Sequence, residues 1–329
     1  MTHGGNIFEA ARRHGWDWRE IADFSASINP LGPSPRVRPA IEAAMDRIVH
    51  YPDAHACELQ QALAKQWDTN PGGIMLGNGA TDLLHFFARA LAPPRVYLAA
   101  PVFSEFHRAF PRATIVPFDS RQWPGDGLVI VTRPANPTGQ MPELSGFDGP
   151  LLVDESFIEF TGEPPLAAGR DDLYILRSLT KFHAIPGLRA GALLGPPAAV
   201  ESWRERREPW QLNVLAEAAV LASLGDPDHA RRTVEFVRGE REWLSSELQT
   251  IPGLAPQPGI ANYLSIALDR PVPPLAACLE QDKILIRDCS GWPGVPFPHA
   301  IRVAVRTRAD NLRLLAALRG VLCDSRSSS

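Results

Sequence analysis

Five short stretches constrain the fold of this chain more than any other feature. RVYLAAP (95–101), LVIVTRP (128–134), LLVDES (151–156), LYILRSL (173–179) and AGALLG (190–195) are near-continuously apolar until they reach a polar or glycine-bearing end. A strand with one face in water alternates apolar and polar residues, whereas a strand apolar on both sides needs cover on both faces. Between them, ATDLLHFFARALA (80–92) has helical apolar spacing and follows a glycine-rich turn. The predicted fold class is α/β, with a mostly parallel sheet covered by helices. Ligands of open α/β sheets collect where strands end, so the polar ends of these runs are the place to look for chemistry.

One connection departs from the pattern. Only about 16 residues separate the runs at 128–134 and 151–156, and NPTG and two further prolines occupy several of them. A parallel crossover needs a dozen or so residues and usually carries a helix. An extended loop with no helix is predicted there. From about residue 200 the character changes to charged amphipathic helices, predicted over 198–224 and 227–250. An α+β tail follows, with NYLSIAL, KILIRDC and AIRVAVRT as strands and NLRLLAALRGVL as the last helix. The first 40 residues, rich in Pro and Gly, are expected to carry little regular structure. This gives a large domain at 41–204 and a smaller one made from 1–40, an N-terminal arm, and 205–329.

The formal net charge of −4, and arginines interspersed with acids (WRERREPW, RRTVEFVRGERE), point to solvated helix faces rather than a nucleic-acid surface. No apolar run is long enough to cross a bilayer, and the N-terminus lacks the apolar core of a secretion signal. Cys57, Cys278, Cys289 and Cys323 fall in no CxxC-type spacing. A cytoplasmic protein with reduced thiols and no metal, membrane or nucleic-acid partner is expected.

Against that background one lysine needs explaining. The chain has three lysines among 33 Lys and Arg residues, and one of them, Lys181, stands at the end of a buried strand in RSLTKFHAIPGLRAG. There a cation is costly unless paired. A snorkelling side chain is one reading; an amine kept for a Schiff base with an aldehyde is the other. Pyridoxal phosphate would need four further groups, and each is available. Asp154 at the end of LLVDE can keep the ring nitrogen protonated. LGNGATD (76–82) opens a helix whose free N–H groups can cradle a phosphate, with Thr81, Ser178 and Arg189 adding hydroxyls and charge. Asn136 in RPANPTG can donate to the ring hydroxyl, and Phe103 in PVFSEF can lie over the ring. Singly these have plain readings as a helix-entry turn, a β-turn or a cap. Their occurrence in the order GNG, NPTG, DE, SxTK, GLR, each at a strand end, argues for one site.

These motifs, with THGGNIFEAA, DFSASINPLGPS, YPDA, ANYLSI, ILIRDCSGWPG and IRVAVRT, make the chain resemble fold-type I pyridoxal-phosphate enzymes of the aspartate aminotransferase superfamily. Within it, the HGGN arm with SxNPLG, and SLTKFHAIPGLR, resemble the L-threonine-O-3-phosphate decarboxylases of cobalamin biosynthesis, relatives of the histidinol-phosphate aminotransferases. The resemblance implies that Lys181 forms the cofactor Schiff base, that Asp154 pairs with the pyridinium and that Asn136 binds the ring hydroxyl. Gly79, Ala80, Thr81, Ser178 and Arg189 would hold the cofactor phosphate. Tyr51 would reach that phosphate from the other subunit of a homodimer with shared sites. Arg302 would engage the substrate's anionic groups, with Arg287, Asn136 and the arm residues His3, Gly4, Ser27 and Asn29. The chain departs from the pattern at Ala80, where relatives often carry Glu or Ser, at Phe157, which replaces a Tyr, and in the shortened segment 117–151. The implied activity is decarboxylation of L-threonine O-3-phosphate. A histidinol-phosphate-type aminotransferase is the alternative, and a non-catalytic cofactor-binding module stands behind both.

Overall fold

The computed structural model describes residues 4–120, 123–145 and 147–324, without the side chains of residues 323 and 324. Its helices are α1 (Ile7–His14), α2 (Val37–Ala44), α3 (Cys57–Gln66), α4 (Ala80–Leu91), α5 (Ser104–Ala109), α6 (Pro197–Arg204), α7 (Val214–Leu224), α8 (Pro227–Gln249), α9 (Val272–Gln281) and α10 (Arg308–Asp324). The strands are β1 (Ala22–Asp23), β2 (Ile74–Gly77), β3 (Val96–Ala100), β4 (Thr114–Pro117), β5 (Leu128–Thr132), β6 (Leu151–Asp154), β7 (Leu173–Ser178), β8 (Gly191–Leu194), β9 (Leu254–Pro256), β10 (Tyr263–Leu268), β11 (Ile284–Leu285), β12 (Arg287–Asp288) and β13 (Ala300–Ala304).

A seven-stranded sheet has the order β2-β8-β7-β6-β5-β3-β4. Strands β3 to β7 pair in parallel, and β8 runs antiparallel to both its neighbours. The apolar runs exist because both faces are covered. On one face Leu98, Ile130, Leu152, Leu176 and Leu193 pack with Leu83, Leu84 and Phe87 of α4. On the other, Ile74, Ile175, Ala192 and Leu194 pack with Leu59 and Leu63 of α3 and Ala216 and Val220 of α7. A second, antiparallel sheet, β12-β13-β10-β9, buries Ile266, Ile301 and Val303 under Leu244 and Leu248 of α8, Leu279 of α9 and Leu314 and Leu318 of α10.

The β5–β6 connection is parallel and, among the described residues of 133–150, contains no helix, as its length predicts. Loop side chains do the covering: Ala99, Val129, Val131 and Val153 pack beneath Trp123, Leu144 and Phe147, and the Trp123 and Phe147 rings meet edge to face at 5.6 Å.

The structure differs from expectation in several places. The helix predicted over 198–224 is two helices, α6 and α7. Pro209 has no N–H to continue the first, Trp210 takes a left-handed conformation at φ 61°, and Asn213 restarts the chain by accepting the Ala216 N–H at 2.8 Å. The arm contains a helix, α1, closed by Gly15 at φ 71° with its N–H on Ala11 O. KILIRDC divides between two sheets: β11 pairs with β1, and β12 with β13. β2 and β4 were not foreseen; β2 is short and runs into the glycine turn, and β4 is an exposed edge strand. Among the described residues no helix is long and apolar enough to cross a membrane.

Candidate active site

The strand ends converge. β5, β6 and β7 run in parallel, so the loops that leave them bring Asn136, Asp154 and Lys181 to one edge of the sheet. Opposite them, the turn after β2 opens α4. Gly79, at φ 92°, is its N-cap, and no side chain caps the helix. The first N–H groups of α4 therefore face outward with the positive end of the helix dipole behind them. Gly79 has no room for a side chain: a Cβ there would lie 2.5 Å from Arg189 Nη2, and a Cβ on Gly191 would lie 2.4 Å from Ala80 N.

Ala80, Thr81, Phe103, Asn136, Asp154 and Ser178 line one cavity of about 330 Å³, together with Lys181, Arg189, Arg302, Gly4 and Ser27. That volume suits a small-molecule site. Burial pushes the Lys181 amine down to about 8; Asp154 opposes this, and Arg302 and Arg189 add to it. Its Nζ lies 5.0 Å from the centre of the Phe157 ring. Burial raises the Asp154 carboxyl above its usual range, against the hydrogen bonds of Ser156 and the charge of Lys181. Ser156 donates to Asp154 Oδ1 through its hydroxyl (2.5 Å) and its N–H (2.9 Å). A buried carboxylate of this kind is completed by a cationic N–H.

Arg302 is buried and already half engaged. Nη1 donates to Asn136 Oδ1 and Nη2 to Ser25 O, both at 2.7 Å, while Nε is buried with no partner. Because the Asn136 oxygen is taken, its NH₂ is left as the group to donate elsewhere. The guanidinium stands 5.2 Å over the Tyr263 ring, whose hydroxyl donates to Ala135 O at 2.9 Å. The Ser27 hydroxyl, also in the cavity, is buried and unpartnered. Beside the shortened segment, the NPTG loop is tied down by Ala135 N to Gln140 O (2.7 Å), Gly139 N to Ala135 O (2.6 Å) and Ile260 N to Gly139 O (2.9 Å).

Four residues singled out from the sequence, Gly79, Arg287, Asn29 and Tyr51, lie elsewhere. Gly79 sits behind the cavity wall, against Arg189. Arg287 packs 5.0 Å from the Trp292 ring and borders an adjoining cavity of about 430 Å³ that shares Gly4 and Ser25 with the first. Asn29 is not in the cavity: its amide donates to Phe182 O (2.9 Å) and Thr233 Oγ1 (3.0 Å), and its backbone N–H to Lys181 O (3.0 Å). It braces the lysine loop, with no donor left for a ligand. Tyr51 is 79% exposed and stacked on Trp210 at 4.5 Å. His3 lies outside the described residues. In turn the cavity contains Ser25, Ser156 and Thr180, which sequence reasoning missed. The available signals were proximity alone: Ser156 follows Asp154 by two, and Thr180 lies between Ser178 and Lys181, its hydroxyl 2.8 Å from that of Ser178.

Residues 19–318 match the aminotransferase class I and II family. The chain belongs to this family. It is 36% identical to threonine-phosphate decarboxylase of Salmonella typhimurium, over 98% of this chain and 96% of that one. It is 29% identical to histidinol-phosphate aminotransferase of Haloarcula marismortui, over 97% and 95%. The fold is shared with crystal structures of L-threonine-O-3-phosphate decarboxylase from Porphyromonas gingivalis (TM-score 0.84, 23% identity, 92% of this chain and 99% of that one). It is also shared with histidinol-phosphate aminotransferase from Sinorhizobium meliloti, which was solved with pyridoxal-5'-phosphate (TM-score 0.85, 23% identity, 100% and 96%).

The donors of this site fit pyridoxal 5'-phosphate. An uncapped helix N-terminus, two hydroxyls and a guanidinium match a phosphate; a buried acid, a depressed amine and an amide NH₂ match the ring and its aldehyde. The lowered lysine has a kinetic signature. Uptake of the cofactor by the cofactor-free protein should accelerate with pH about a midpoint near 8, because the neutral amine is the nucleophile. Stopped-flow absorbance checks this; a midpoint near the ordinary lysine value would contradict the burial argument.

Proposed function

We propose that this chain is a pyridoxal 5'-phosphate-dependent carboxy-lyase that converts L-threonine O-3-phosphate to (R)-1-amino-2-propanol O-phosphate in cobalamin biosynthesis. The identity of 36% to the Salmonella typhimurium decarboxylase over 98% of the chain carries this reading. The cofactor, once bound, supplies an electron sink for the bond broken at the substrate Cα.

The chain's own residues then divide the work. Lys181 would hold the cofactor aldehyde and would be the group that supplies a proton at the substrate Cα. Asp154, locked by Ser156, keeps the ring nitrogen protonated. Asn136 orients the ring hydroxyl, and the α4 N-terminus with Ser178 and Arg189 holds the phosphate. Arg302 and the groups around Gly4 and Ser27 grip the substrate's anions, with Arg287 at the adjoining cavity. Orientation would decide the outcome: the residues that grip the substrate's anions would select which bond at Cα the cofactor weakens, that to the carboxylate in a decarboxylase and that to the hydrogen in an aminotransferase. In this reading residues 41–204 carry the cofactor, and the arm with 205–329 carries the substrate contacts.

The test is CO₂ release from L-threonine O-3-phosphate with and without 2-oxoglutarate. CO₂ without the oxo acid is expected. Amino transfer that depends on the oxo acid, with no CO₂, would make the protein an aminotransferase.

The reading includes a cytoplasmic homodimer. The exposure of Tyr51, beside Val49 (77%) and Ile48 (54%), supports a role for it at a neighbouring subunit's phosphate rather than its own. Mixing Tyr51→Ala with Lys181→Ala protein, each impaired alone, should restore activity, because one site of the hybrid is intact. No recovery after subunit exchange would remove Tyr51 from a shared site.

A further inference from the structure

Arg207 lies in the break between α6 and α7, within a run of charge (RERRE) that reads as solvated surface. Its side chain is only 5% exposed. Nη1 donates to Leu76 O at 3.0 Å, Nη2 pairs with the Asp82 carboxylate, and the guanidinium lies 5.1 Å from the Phe86 ring centre. The same Asp82 oxygen accepts the Asn78 N–H at 3.1 Å. Gly77 is hemmed in by this arrangement: a Cβ there would come within 2.6 Å of Arg207 Nη2 and 2.7 Å of Asp82 Oδ2.

The glycine turn that opens α4 is thus pressed between two guanidiniums. Arg189 lies on the cavity side against Gly79, and Arg207 lies behind, against Gly77, without lining the cavity. Asp82 sits in the first turn of α4, where an acid favours the helix. That turn is also the one that receives a phosphate dianion, and an unpaired acid there would repel it. The paired Arg207 cancels the charge of Asp82 while fixing the Leu76 carbonyl and, through Asp82, the Asn78 amide.

We propose that Arg207 is a positioning residue for the cofactor phosphate: from outside the cavity it holds the Gly77-Asn78-Gly79 turn and neutralises Asp82. This rests on the reading of the α4 N-terminus as the phosphate cradle. The test compares the affinity of the cofactor-free protein for pyridoxal 5'-phosphate and for pyridoxal, which lacks the phosphate, by absorbance titration. Folding of each variant is checked by circular dichroism. Arg207→Met should weaken the phosphate form roughly tenfold and leave pyridoxal affinity nearly unchanged, so that the ratio of the two collapses. Adding Asp82→Asn should recover part of the ratio, because the repelling acid is gone. Arg207→Lys keeps the charge without the fork, so it should lower the ratio by a smaller factor, and it carries the test should the Met variant not fold. An unchanged ratio, or an equal loss for both ligands, would overturn the proposal. Equal affinities in the unaltered protein would overturn the cradle reading, and the proposal with it.

Discussion

Lys181→Ala should abolish the visible absorbance of bound cofactor and lower turnover about 10⁴-fold or more, because the proposed reading makes Lys181 both the Schiff-base amine and the proton donor. The same variant, free of cofactor, should be at least as stable as the unaltered protein at neutral pH. Burial holds the folded-state amine near 8, below its ordinary value of 10.5. Between those two pH values the unfolded chain binds the proton that the folded chain has released, so stability rises with pH across that window. Below about 8 both states are protonated and the full cost of the buried charge remains. Thermal melts of the two proteins from pH 7 to 10.5 should therefore converge as pH rises. A Lys181→Ala protein that melts lower at pH 7, or that keeps cofactor reducible by borohydride, would show that the amine is structural.

The second large effect is expected at Arg302. Arg302→Ala removes a fork that serves Asn136 and Ser25 and presents an unpartnered Nε. KM for the phosphorylated substrate should rise about 10²-fold, the usual cost of losing a buried charge partner. The cofactor absorbance should persist, because Lys181 and Asp154 are untouched. A large fall in kcat at constant KM would mean that Arg302 acts only in the transition state. Loss of the cofactor spectrum would mean that its service to Asn136 is the larger part of its role.

How much of this was legible in the sequence follows from how local each cause is. β3, β5, β6, β7 and β8 were readable because burial on both faces leaves a continuous apolar run. The β5–β6 loop was readable from length alone. Lys181, Asp154 and the turn before α4 were readable because each carries a chemistry that few residue types can supply. The break between α6 and α7 was obscured because a run of charged residues leads up to Pro209 and an apolar helical stretch resumes soon after it. Arg207 was hidden for the same reason: its burial depends on Leu76, Asp82 and Phe86, more than a hundred positions earlier. Asn29 carried the right chemistry for a ligand contact, but its amide is spent on Phe182 and Thr233, and no local pattern shows that. Ser25 matters through its carbonyl, which no side-chain motif can signal.

That the described residues of the β5–β6 crossover hold no helix has a consequence for how this fold can change. Where a helix covers a sheet, its length and phase are set by the strands beneath it, and an added residue rotates the whole apolar face. Here the cover comes from Trp123, Leu144 and Phe147, standing on irregular backbone, so no helical phase is at stake. Residues 141–143 can therefore take grafted sequence, provided Leu144 and Phe147 still cover the sheet, the chain re-enters β6 in register and the bonds around Ala135 and Gly139 are kept.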